Sequence, residues 1–151
     1  MVVVVKTTNV LAQEFQKSGL DLDLLVNLFG EWKPLGSQGE DAIYEFGKDV
    51  PYERPHVNAK KNILRHVHLV PILDVASKPA WDKAWMRESR RTSNRALVYV
   101  DDGPKKFLLI AILPEPTAHA VSRMQTPQDK VVMNRFAEIA EAFIYTGEII
   151  A

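Results

Sequence analysis

The chain has 151 residues, 46% hydrophobic and 25% charged, with 19 Lys/Arg balanced by 19 Asp/Glu. These values fit one soluble globular domain over residues 1–151 and exclude a disordered or fibrous chain, while zero net charge excludes binding nucleic acid by bulk charge alone. Cysteine is absent, which rules out disulfides, thiolate metal ligands and a cysteine nucleophile, and accords with a reducing cytoplasm.

The opening MVVVVKTTNV carries four valines before Lys6. That run is too short for a signal-peptide core or a membrane span, and β-branching favours an N-terminal strand. NVLAQEFQKSG predicts a short helix with Asn9 as N-cap and Gly19 as stop. LDLDLLVNLFGEW spaces Leu20, Leu24, Leu25 and Leu28 helically and predicts a second helix ending near Trp32. KPLGSQGEDAIYEFGKDVPYERP, rich in Gly and Pro, reads as a surface connection with local turns. ILRHVHLVPIL is a strand that Pro71 interrupts. In DVASKPAWDKAWMRESRRTSN, Trp81 and Trp85 stand four apart, on one turn of a short helix. RALVYV and KFLLIAIL are two strands joined by DDGPK, and the second, apolar on both faces, belongs in a sheet interior.

PEPTAHAVSRMQTPQD reads as loop, and KVVMNRFAEIAEAFIY as an amphipathic helix with Met133, Phe136, Ala140 and Phe143 on one face. Strands and helices that come in runs give an α+β fold: a small, mostly antiparallel sheet with two N-terminal helices and a C-terminal helix. The longest apolar run, residues 107–113, is far short of a membrane span, so a membrane is not an expected partner.

Charge is unevenly distributed. Residues 1–53 carry four Lys against nine Asp/Glu, net −5; residues 54–95 carry ten Lys/Arg against three, net +7; residues 96–151 carry five against seven, net −2. The basic middle third is either a solvated face or the footprint of a polyanion, and it contains RHVHLV. On a strand, His66 and His68 share one face and Arg65 takes the other.

Two histidines at this spacing can ligate zinc or iron, but His56 and His119 are the only others and no thiolate exists, so no metal and no cofactor are expected. The same residue types suffice for metal-independent RNA cleavage: a base for the ribose 2′-OH, an acid for the leaving oxygen and cations for the phosphorane. Spacing alone favours a partly buried, hydrogen-bonded pair in a sheet. RESRRTSNRA offers arginine forks with Thr92, Ser93 and Asn94 beside them, equally a phosphate site or a solvated turn. HAVSR puts His119 and Arg123 four apart; as a helical turn they would share a face, but spacing alone favours a surface turn. P-loop, G-x-G-x-x-G, G-x-S-x-G and H-E-x-x-H patterns are all missing, which argues against a nucleotide-cofactor enzyme.

Taken together, FGKDVPY, HVHL, RRTSNRALVYV, LLIAIL with PEP, HAVSR and FAEIAEAF occur in an order that resembles the YafO family of toxins from bacterial type II toxin–antitoxin systems. The resemblance implies a ribosome-dependent mRNA interferase, an endoribonuclease whose partners are the ribosome, mRNA and a cognate antitoxin protein. It also implies a RelE/ParE-like fold, with a basic concave sheet face towards mRNA and helices packed behind. The family's histidine pair falls on His66 and His68, its Arg-Thr step on Arg91 and Thr92, and its His-x-x-x-Arg on His119 and Arg123. Our expected roles are His66 or His68 as base, His119 as acid and Arg91 facing the phosphorane. Lys61, Arg65, Arg90, Thr92, Arg95 and Arg123 are expected to hold RNA. The competing reading is a ParE-like toxin that inhibits a protein target without cutting RNA. The segment between Arg123 and Met133 is longer than the family pattern, and the zero net charge is low for an RNA-binding toxin.

Overall fold

Five strands form one mixed sheet with helices on both faces in the computed structural model, which describes residues 3–57, 62–103 and 105–151. In chain order the elements are β1 (Val4–Thr7), α1 (Asn9–Ser18), α2 (Leu22–Trp32), β2 (Phe46–Pro51) and β3 (Leu64–Leu69). They continue with α3 (Lys78–Met86), β4 (Ala96–Asp101), β5 (Lys106–Leu113), α4 (Ala118–Ser122) and α5 (Pro127–Thr146). The strand order is β1-β5-β4-β3-β2; β1 runs parallel to β5 and every other pairing is antiparallel. The α+β class and the mostly antiparallel sheet therefore hold. Among the described residues no helix is long and apolar enough to cross a membrane.

Local chemistry explains where the elements begin and end. Thr8, not Asn9, caps α1: its Oγ1 accepts the Leu11 N–H at 3.1 Å and donates to Ile110 O at 2.7 Å, tying the helix to β5. Gly19 ends α1 at φ 67°, a left-handed conformation that favours glycine. Asp21 caps α2 through the Leu24 N–H at 3.1 Å.

Three elements depart from the expected pattern. β2 lies inside the segment read as a surface connection. A register shift between Phe46 and Asp49 breaks its alternation, and its Gly47 is there because a Cβ would stand 2.3 Å from Arg91 O. α4 and the first turn of α5, capped by Thr126, occupy the segment read as loop. The helices also do not form a single layer behind the sheet.

On one face α1 and α2 bury Val67, Leu69, Leu97, Tyr99, Phe107 and Leu109, with Phe29 packed edge-on against Trp32, Phe46, Tyr99 and Phe107. Fully burying one such ring is worth about 3 kcal/mol. On the other face α5 covers Leu64, Val98, Val100, Leu108 and Ile110 with Met133, Phe136, Ala140 and Phe143, the helix face that the sequence pattern marked. Both faces of β5 are covered, which accounts for its continuous apolar run.

A histidine cleft on the open part of the sheet

β3 pairs with β2 so that Val50 lies directly opposite His66. Val50 therefore shares the face that carries His66 and His68, and Lys48 and Tyr52 line the same cleft. α5 covers that face over β4, β5 and the Leu64 end of β3. What remains is a cleft of about 720 Å³ floored by His66, His68, Lys48 and Val50 and walled by Tyr52, Arg54, Thr92, His119, Ser122 and Arg123. His119 arrives from α4, whose first turn Asn94 holds: its Oδ1 accepts the His119 N–H at 2.9 Å while its Nδ2 donates to Pro116 O. The helical turn puts His119 and Arg123 on one side, and both line the cleft.

Four rings form a row. Tyr52 stacks on His66 with centroids 4.2 Å apart and planes 18° apart; His66 lies 5.6 Å from His68, and His68 lies 5.2 Å from His119. The Ser93 peptide joins the last two. His68 Nδ1 is 2.9 Å from both the N–H and the carbonyl oxygen of Ser93, and His119 Nε2 is 2.9 Å from the same oxygen. The two backbone groups of Ser93 thus serve either state of His68, its N–H donating to a bare Nδ1 or its carbonyl accepting from a protonated one. His66 Nδ1, by contrast, is buried and has no partner.

Burial first, then the neighbouring His68 and His119, pushes the His66 pKa down to about 3. Burial and His119 push His68 down to about 4, against the pull of its Ser93 bond. Both imidazoles are neutral at pH 7, each with one bare nitrogen able to accept a proton. Burial raises the Tyr52 hydroxyl pKa, so it stays protonated. Among the described residues no three His, Asp or Glu side chains are placed to share a metal ion.

Of the residues expected in the site, His66, His68, Thr92, His119 and Arg123 meet in the cleft. Arg91 does not. It is 1% exposed, donates to Phe46 O at 2.6 Å and Ile43 O at 2.8 Å, and packs its guanidinium over Trp81 and Trp85 at 5.4 and 4.9 Å. Buried there, it does not reach the cleft: Nη1 and Nη2 are bonded to backbone carbonyls, three of them in the 41–46 segment, and Nε is buried without a partner.

Arg65 is across the sheet, as period two requires, in a network with Asp49 at 3.3 Å and the Tyr99 hydroxyl at 3.1 Å, which Lys33 closes at 2.7 Å from Asp49. Arg90 pairs with Glu40 at 2.8 Å on that same side. Arg95 donates to Val70 O at 3.1 Å and lines a different groove. Lys61 lies outside the described residues. Lys48, Tyr52, Arg54 and Ser122 were not singled out by sequence reasoning. The signal for Lys48 and Tyr52 was strand β2 itself, hidden by its glycine and its bulge.

Residues 31–145 match the family model described as Toxin YafO, type II toxin-antitoxin system. Neither a curated protein nor a solved structure matches the chain.

Proposed function

The chain belongs to the YafO family of toxins of type II toxin–antitoxin systems, and from that premise we propose that its histidine cleft cleaves translated mRNA without a metal. Family membership implies a cognate antitoxin as partner. The ribosome and mRNA enter with the proposal, as does the RelE/ParE-like reading of the strand–helix–helix–sheet order. The observation that carries the proposal is the convergence of three imidazoles and three cations on one open cleft.

His68 is the base. With its Nδ1 proton given to Ser93 O, Nε2 takes the proton from the ribose 2′-OH, and the resulting imidazolium keeps its Ser93 bond. His66 has no partner for an Nδ1 proton, which makes it the weaker base. It holds the row of rings against Tyr52 instead. The 2′-oxygen attacks phosphorus, the P–O5′ bond breaks and His119 protonates the leaving oxygen. The products are a 2′,3′-cyclic phosphate and a 5′-hydroxyl. Lys48, Arg54 and Arg123 face the negative charge that develops on the phosphorane.

His68→Ala and His119→Ala are each expected to lower cleavage by about 10²–10⁴-fold with the fold unchanged, read by primer extension on messages from expressing cells and by circular dichroism. Full toxicity in both variants overturns the assignment. Intact messages with stalled replication transfer the protein to the ParE-like class.

A further inference from the structure

Across the sheet from the histidines lies a groove that is apolar, rigid and uncovered. One wall is Leu20 in the link before α2 and Leu24 in its first turn, 49% and 55% exposed; the other is Ile72 and Leu73 in the turn after β3, 58% and 70% exposed. Phe15 and Ile112 lie between them. The turn is anchored: the carboxylate of Glu115, only 8% exposed, accepts the Ile72 N–H at 3.0 Å and the Leu73 N–H at 2.6 Å. A buried charge is thus used to hold two large aliphatic side chains out in water. Such a patch is unfavourable alone and favourable when covered.

The rim carries Glu14, Asp21 and Glu45 against Lys17 and Arg95, a net of one negative charge. That sign repels RNA phosphate and selects a partner with basic flanks. The nearby backbone is already committed, Leu69 N–H to Arg95 O and Val70 N–H to Glu45 O. Around that turn the groove therefore presents side chains, which suits a helix.

We propose that this groove seats the cognate antitoxin through the apolar face of an amphipathic helix flanked by Lys or Arg. The partner comes from family membership and its chemistry from the rim. Because groove and cleft lie on opposite faces, docking is separable from toxicity, and the assignment stands apart from the ribonuclease proposal.

The test co-expresses L24E/L73E toxin with the antitoxin encoded beside the toxin gene. V131E, at a 70%-exposed position on α5, serves as control. L24E/L73E is expected to arrest growth as the unmodified toxin does, to escape rescue, and to bind antitoxin more than about tenfold more weakly by calorimetry; V131E is rescued. A charge-only variant, E14K/E45K, is expected to weaken binding several-fold, with a reduced dependence on salt. Unchanged affinity in L24E/L73E, or tighter binding in E14K/E45K, overturns the proposal. So does a toxin dimer in sedimentation that L24E/L73E dissociates, since a second copy then owns the groove.

Discussion

Replacing Arg91 by Met separates a structural arginine from a catalytic one. Methionine keeps an unbranched chain against Trp81 and Trp85 and removes every donor. Two of the lost bonds are short, 2.6 Å to Phe46 O and 2.8 Å to Ile43 O; those to Asp41 O and Ser89 O are long, at 3.4 Å. Hydrogen bonds from a charged donor are worth about 1.5–3 kcal/mol each, so the short pair alone gives about 3–6 kcal/mol. The substitution also strands Asp41, whose buried Oδ1 has no hydrogen-bond partner and whose charge Arg91 offsets. A loss of about 4 kcal/mol is expected, within the range for breaking a buried charged contact. At a slope of about 2 kcal/mol per molar urea the unfolding midpoint falls by about 2 M. Arg90→Met, which removes an ion pair whose arginine is 53% exposed, is the control and should cost under about 1 kcal/mol. If Arg91→Met unfolds within about 1 kcal/mol of the parent while cleavage collapses, Arg91 acts on RNA and the structural reasoning is wrong.

The depressed histidines make stability depend on pH. His66 and His68 titrate near 3 and 4 in the folded chain and near 6.5 when unfolded, so the unfolded chain takes up protons first. Their contribution is complete above about pH 6.5 and is lost as pH falls towards 4 and below. Urea midpoints should therefore drop between pH 7 and 4, and His66→Phe should flatten that slope; equal slopes in parent and variant contradict it. Asn94→Ala removes the side chain that anchors α4 without touching the cleft floor. It should cost about 1 kcal/mol of stability and slow cleavage by at least about tenfold through a displaced His119. Activity equal to the parent's shows that α4 stays in place without that tie.

Legibility followed the range of the forces involved. The β4–β5 hairpin, the Gly19 stop and the buried face of α5 are local patterns of period and turn chemistry, and they appear where the spacing puts them. The shared face of His66 and His68 follows from period two alone. That this face is open does not, because it depends on where α5 stops covering the sheet. β2 was hidden because Gly47, required by the close approach of the Arg91 backbone, reads as a turn signal in one dimension, and the bulge beside it breaks the alternation.

The basic block misled most. Arg65, Arg90, Arg91 and Arg95 count equally in a charge tally, but partners distant in sequence absorb them: Asp49, Glu40, and the carbonyls of Phe46 and Val70. Conversely, Lys48 and Arg123 come from outside that block.

With those four arginines occupied, counterion release at the remaining cations would set how the cleft holds RNA under the proposed function. Lys48, Arg54 and Arg123 are the cations lining it among the described residues. Three phosphate contacts on a single strand give log K against log salt a slope of about −2. Raising salt from about 50 to 200 mM then weakens binding only roughly 20-fold, a shallow response for a nucleic-acid enzyme. If the cleft cleaves RNA as proposed, so modest a grip on free strands would make delivery the controlling step, with cutting efficient where the message is already extended and its backbone brought to the row of rings.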